Sequence, residues 1–186
     1  ITIENTEGKT KEYKVLVYAF TGLPVMYINT ENDTEITSKE EYVNAHLRIV
    51  EDIYTRSGEI FESDVTIKGR GNSTWSLPKK PYALKFDKKT SLLGEPKDKS
   101  WVLLANYTDK TNLRNEASFF MGRISNLEWT PRTHFVELFM NEVYCGTYQL
   151  CEKIKIADSR VNITDDGYLM EIDQPDSCLL YTSPSP

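Results

Sequence analysis

Apolar and polar residues alternate along most of this chain, and the period is two. In "YVNAHLRIVEDIY" Val43, Ala45, Leu47 and Ile49 fall on one face, with Asn44, His46 and Arg48 on the other. That is the pattern of a half-buried strand, and it assigns His46 to solvent. The runs "KEYKVLVYAF" (11–20), "VMYINT" (25–30), "SDVTIKG" (63–69), "PYALKF" (81–86) and "SWVLLANY" (100–107) also read as extended. Turn residues punctuate them, and the Asn32–Asp33 pair is placed at a hairpin tip. "THFVELFMN" and "YCGTYQLCEKI" form two further strands joined through "NEVYCG", and "GYLMEID" (167–173) is a last extended run.

One segment changes period. Leu113, Ala117, Phe120, Ile124 and Leu127 recur at spacings of four and three. This predicts an amphipathic helix over about 111–127, with Asp109 or Thr111 as its N-cap. Strands, one main helix, then strands again predict an α+β fold: a mostly antiparallel sheet with the helix packed on it.

Composition adds limits. With 186 residues, 39% hydrophobic and 27% charged, the chain suits one globular domain, with or without an appendage. No apolar run approaches the roughly 20 residues that a membrane span needs. No signal peptide opens the sequence, and Ile1 is not a natural start, so an upstream one is compatible with it. Two histidines, His46 and His134, are too few for a histidine-rich metal site. Cys145, Cys151 and Cys178 form neither an even disulfide framework nor a C-x-x-C pair, and read as free thiols. Asn-x-Ser/Thr triplets at Asn32, Asn72, Asn106 and Asn162 are assigned no role. Trp75, Trp101 and Trp129 suit packing more readily than a sugar platform.

Charge is where the sequence turns specific. The formal balance is −6, and residues 1–66 carry six bases against thirteen acids. Yet "IKGRGNSTWSLPKKPYALKF" (67–86) holds five bases and no acid. Such a segment meets an anion or pairs with the acids elsewhere in the chain. Gly69 and Gly71 would let main-chain N–H groups approach a phosphate, with Arg70, Lys79 and Lys80 supplying charge. Lys85 follows on the next strand, and Glu116 lies near the start of the next helix, an arrangement by which protein kinases hold nucleotide phosphates. The loop matches neither G-x-G-x-x-G nor the P-loop pattern. Arg114 opposes the helix dipole in the first turn and therefore calls for a carboxylate or phosphate partner.

Four blocks in order, "GRGNSTW" with "KKPYALKF", "LLANYTDKTNLRNEASFF", "ELFMNEVYCGTYQLCEKI" and "DDGYLMEID", resemble the CotH family of spore-coat protein H-like kinases. The likeness runs from about Leu23 to Asp173 and makes residues 21–176 the N-terminal part of a kinase-like domain, with 1–20 a preceding linker or strand. It implies an atypical kinase lobe that uses ATP with Mg or Mn to phosphorylate Ser or Thr on proteins. It also implies a secreted or surface-exposed bacterial protein, monomeric and without a nucleic-acid partner. By the same likeness the basic hairpin, with Gly69, Arg70 and Gly71, would roof the nucleotide. Lys85 would meet its phosphates with Glu116 as partner, Arg114 would stand nearby, and Glu152 with Ile154 would lead to the adenine hinge. The family's downstream motifs, an N-x-D and a sequence close to P-W-D-x-D, do not occur here. No catalytic or metal-holding residue is therefore assigned, and the chain alone is expected to be inactive. "SCLLYTSPSP" (177–186) has no counterpart in the family and resembles the translated read-through of a sequencing adapter. The competing expectation is an extracellular β-rich module that binds glycan or protein in adhesion.

Overall fold

Strands that alternate this regularly must cover one face, and here the sheet covers it by closing on itself. The structure, a computed structural model, describes residues 2–4, 6, 8–12, 21–51, 60–164 and 166–170. Two short strands, β1 (Thr2–Glu4) and β2 (Thr10–Glu12), form a separate antiparallel pair. Seven others make a closed barrel: β3 (Val25–Thr30), β4 (Val43–Val50), β5 (Ile60–Gly69), β6 (Tyr82–Thr90), β7 (Asp98–Leu104), β8 (Thr133–Met140) and β9 (Val143–Glu152). Around the barrel the order is β3-β4-β5-β6-β7-β9-β8. All neighbours are antiparallel except β3 and β8, whose parallel pairing closes the ring. Closure leaves no unpaired edge among these strands.

Register puts the apolar sets inside. Met26 lies opposite Ile49, Ile67 opposite Leu84, Leu84 opposite Trp101, and Leu103 opposite Leu150. All of these are buried in one core. The expected face of β4 is the observed one, with Ala45, Leu47 and Ile49 buried and His46 exposed beside Asp64. Turn chemistry also holds. Asn32 and Asp33 adopt the left-handed conformation between β3 and β4, and Asn141 and Glu142 do so in the two-residue β8–β9 hairpin.

The expected α+β fold, with a main helix packed on an open sheet, is not what forms. The molecule is mostly β, and its core lies within the barrel rather than between a helix and a sheet. Period-two alternation says that one face is covered, not by what. The pairing that decides the matter joins β3 to β8, more than a hundred residues later. The single α-helix, α1, spans Arg114–Ile124, shorter than the expected 111–127. Its apolar stripe is turned to solvent: Leu113, Phe120, Ile124 and Leu127 are all more than half exposed. The less exposed face is Asn112, Glu116, Phe119 and Gly122, where a Cβ on Gly122 would stand 2.6 Å from Thr130 Oγ1. Two other runs expected to be extended stand apart. Residues 13–20 lie outside the described residues, and of "GYLMEID" residues 167–170 hold no strand while 171–173 lie outside them.

Candidate functional site

The outer surface of the barrel carries a cleft whose floor is one cross-strand row. Lys68 on β5 pairs with Ala83 on β6, Ala83 with Val102 on β7, and Val102 with Cys151 on β9. Because pairing residues share a face, this row alternates with the buried Ile67, Leu84 and Trp101. Phe119 of α1, Pro131, Leu104 and Ile154 wall a chamber of about 470 Å³ above it. Gly69, Arg70, Gly71 and Asn72 form its other rim, with Tyr42, Lys39 and Lys153 at the mouth. Burial pushes the Cys151 thiol up to about 12, so it is an apolar floor group rather than a nucleophile near neutral pH.

A second chamber of about 270 Å³ adjoins the first, and Arg70 and Leu104 line both. Its character is polar and cationic: Lys79 and Arg114 join Arg70, with Thr74, Asn106, Asp109 and Asn115 around them. Burial pushes the Lys79 ammonium below the usual lysine range, although Glu137 partly opposes this. Its Nζ donates to the Thr147 carbonyl at 2.5 Å and stands over the Tyr148 ring. Lys80 is anchored likewise, to the Trp75 carbonyl and over the Trp75 ring. Two of the five cations of the basic hairpin thus fasten it to the barrel and to itself.

The glycines of that hairpin serve packing first. A Cβ on Gly69 would stand 2.4 Å from the Trp75 ring, and Gly71, at φ +87°, would drive one into Thr74 Oγ1 at 2.2 Å. The main-chain N–H of Gly69 donates to Ser38 O at 2.9 Å, and that of Arg70 to Pro81 O at 3.2 Å. With those two donors spent inside the protein, it is side chains that give the cleft its positive charge.

The segment before α1 is a chain of local bonds. Asp109 Oδ2 accepts from Arg114 N at 2.9 Å, and its Oδ1 accepts from Thr111 N and the Thr111 hydroxyl. Thr111 Oγ1 in turn accepts from Leu113 N. Neither expected residue is the N-cap, which is Leu113 and makes no side-chain cap hydrogen bond; Asp109 and Thr111 instead bond the main chain of the turn that leads into the helix. The main-chain N–H of Arg114, helped by Thr111, holds the Asp109 carboxyl below the usual carboxylate range. The Arg114 guanidinium finds its carboxylate partner there too, at 3.8 Å, while staying largely exposed.

The remaining expected residues fall elsewhere. Lys85 is on the outer face one position beyond Ala83, over the Tyr42 ring at 5.7 Å, beside Lys68 over the same ring. Glu116 does not pair with it. Among the described residues Glu116 binds Arg123, Thr133 and Gln149. Burial raises its carboxyl, but those three donors outweigh that and hold it low. Around the barrel β7 separates β6, which carries Lys85, from β9 and β8, which carry the Gln149 and Thr133 partners of Glu116. Glu152 borders the cleft, but its carboxylate, with no exposure, turns to the end of the barrel interior. There it binds Arg132 Nη2 at 2.7 Å and the wholly buried Arg160, which stacks on Trp101 at 5.0 Å. This ion cluster carries the chain rigidly into Lys153 and Ile154. Gly69, Arg70, Gly71 and Glu152 thus share the first chamber, and Arg70 and Arg114 share the second. The floor residues Ala83, Val102 and Leu104 and the amides Asn106, Gln149 and Asn115 went unassigned in the sequence. A row that crosses four strands leaves no linear signal, and only the density of Asn and Asp in "NYTDKTNLRN" hinted at the amides.

A search of curated proteins returned no match. The profile of the family described as CotH kinase protein matches residues 67–185, a span that takes in the hairpin, the second chamber, all of the first but Lys39, Glu40 and Tyr42, α1 and the ion cluster. With most of its length inside that match, the chain belongs to the CotH kinase protein family.

Proposed function

We propose that the cleft binds ATP, and that the chain forms the nucleotide-facing part of a secreted or surface protein kinase whose γ-phosphate acceptors are Ser or Thr hydroxyls. The observation that carries this is that two adjoining chambers share Arg70 and Leu104, the first with an apolar floor of Ala83, Val102 and Cys151 beneath basic rim residues, the second with Lys79, Arg114 and side-chain amides. A nucleotide has the same two characters end to end, a flat apolar base and a polyanion. The base fits over Ala83, Val102 and Leu104 under Phe119, and the phosphates extend past Arg70 toward Lys79 and Arg114. Volumes of this order are usual for small-ligand sites. Lys85, at the edge of the floor, is a further cation within the same face.

Phosphoryl transfer is mainly positioning and charge neutralisation. A divalent cation supplies the second on the β- and γ-phosphates when bound. Among the described residues no three His, Cys, Asp or Glu side chains come together, so they do not compose a metal site and none is given that role. What these residues do is bind and orient: the floor takes the base, Arg70 bridges the chambers, and the Asp109 turn sets Arg114 at the mouth of the second.

Calorimetric titration of the 186-residue chain with ATP tests this. Saturable binding is expected, weakened about tenfold by Arg70→Ala, since a charge-assisted hydrogen bond is worth about 1.5–3 kcal/mol. Absence of ATP binding, with binding of an oligosaccharide instead, would replace this proposal with the adhesion module.

A further inference from the structure

Behind the second chamber runs a ladder of side-chain amides with a single direction. Its root is Glu116, whose carboxylate can only accept. The Thr133 hydroxyl donates to Oε2, and Gln149 Nε2 donates to the same atom at 3.0 Å. The other N–H of Gln149 goes to Thr133 Oγ1 at 3.1 Å. Gln149 is completely buried, so with both amide hydrogens committed its Oε1 must face the other way. There it accepts from Asn106 Nδ2 at 3.1 Å. Asn106 is then obliged to turn Oδ1 outward, where it accepts from Asn115 Nδ2 at 2.8 Å. Asn106 and Asn115 are the two amides that line the cationic chamber. The backbone of Asn106 is held separately, at φ 49° with its carbonyl accepting from Asp109 N.

An amide has two ends of almost equal shape and opposite polarity, so packing cannot choose between them. Only a hydrogen-bond partner that is unable to donate can do so. Resting on the nucleotide reading of the cleft, we propose that Glu116 is a positioning residue. It orients Gln149, Asn106 and Asn115 in series and so fixes which end of the Asn115 amide meets the nucleotide. Glu116 touches no ligand itself. Its role differs from that of a glutamate paired with a phosphate-binding lysine, since Lys85 has no part in the ladder.

Three variants separate polarity from packing. Glu116→Gln keeps shape and introduces a donor, Glu116→Asp shortens the side chain and keeps an acceptor-only group, and Arg123→Met removes the neighbouring charge while leaving the carboxylate. ATP affinity is expected to fall about tenfold in Glu116→Gln, the scale of one net hydrogen bond, and no more than about threefold in the other two. In the protein without nucleotide, NMR of the side-chain amides should show Asn106 hydrogens protected from exchange in the native chain and released in Glu116→Gln. A Glu116→Asp loss that exceeds the Glu116→Gln loss overturns the proposal in favour of packing. Equal ATP affinity in the native chain and Glu116→Gln, or unchanged Asn106 protection, overturns it as well. If the native chain binds no ATP, the nucleotide reading fails and takes the ligand half of this proposal with it. The amide-exchange comparison still decides the orienting half on its own.

Discussion

Strand β9 buries both of its faces, and they obey different rules. Inward, Tyr148 and Leu150 fill the barrel core among Leu103, Val136 and Leu138. Outward, Gln149 is as completely buried as Leu150, yet every polar atom of its amide is bonded and its neighbours are Glu116, Thr133 and Asn106. The inner face stabilises by area removed from water, tolerant of exact geometry. The outer one gains little net energy, but it fixes orientation, because each misplaced donor would be stranded. Burial alone does not mark the core; what covers a residue does.

The sharpest way to break this comparison is at the barrel end, where an inward position holds a charge. Glu152→Ala should cost about 3–5 kcal/mol, since it strands the wholly buried Arg160 without its carboxylate and leaves Arg132 with the Glu95 carboxylate. Leu150→Ala, two residues earlier on the same inner face, should cost about 2–5 kcal/mol by leaving a cavity. Denaturant midpoints measure both, and a loss under about 1 kcal/mol for Glu152→Ala would mean that the arginines find water or other partners.

On the outer face the effects shrink. Gln149→Leu, close in volume, should cost about 1–3 kcal/mol because the partly buried Glu116 and Asn106 each lose a bond. A neutral or stabilising result would show that the ladder is dispensable for folding.

Acid should act on the same face. Burial raises the Asp98 and Glu116 carboxyls, but Lys155 and Ser100 outweigh it at the first, and Thr133, Arg123 and Gln149 at the second. Both end below their ordinary values. Groups lowered in the folded state contribute fully above their unfolded values and lose that contribution as pH falls through the folded ones. Stability is therefore expected to be flat near neutrality and to decline below the ordinary carboxylate range, less steeply in Glu116→Gln. Urea midpoints measured across that range would show it, and parallel curves for the two proteins would remove Glu116 from the account.

The smallest effect belongs to the residues that look most like a core in the sequence. Phe120→Ser on α1 should change stability by no more than about 0.5 kcal/mol, because Phe120 is exposed. A loss of several kcal/mol would mean that the stripe is covered after all.

That stripe shows how far periodicity reaches. The spacing of Leu113, Phe120 and Ile124 correctly announced a helix, but it begins at Arg114 with Leu113 in the N-cap position, and Asp109 and Thr111 bond the turn ahead of it instead of capping it. It said nothing true about which face is covered, since the barrel had already filled its own interior and offered α1 a polar surface. The hairpin shows the same split. Gly69, Arg70 and Gly71 were legible as a special turn and do border the cleft, but the glycines answer first to Trp75 and Thr74. Lys85 and Glu116 are served by different neighbours: Lys85 on β6 lies over the Tyr42 ring, whereas Glu116 bonds Thr133 on β8 and Gln149 on β9, and β7 separates β6 from β9 around the barrel.

By itself the sequence determined the seven barrel strands, the inward face of β4, the turn residues and the family, because each of these depends on neighbours a few residues away or on a string of characters in order. Closure of the barrel, the cleft floor assembled from four strands, the inward turn of Glu152 and the direction of the amide ladder depend on contacts between residues 8 to more than 100 positions apart, most of them on different elements. Those contacts exist only once chain entropy has been overcome by the whole core together, so no local pattern records them.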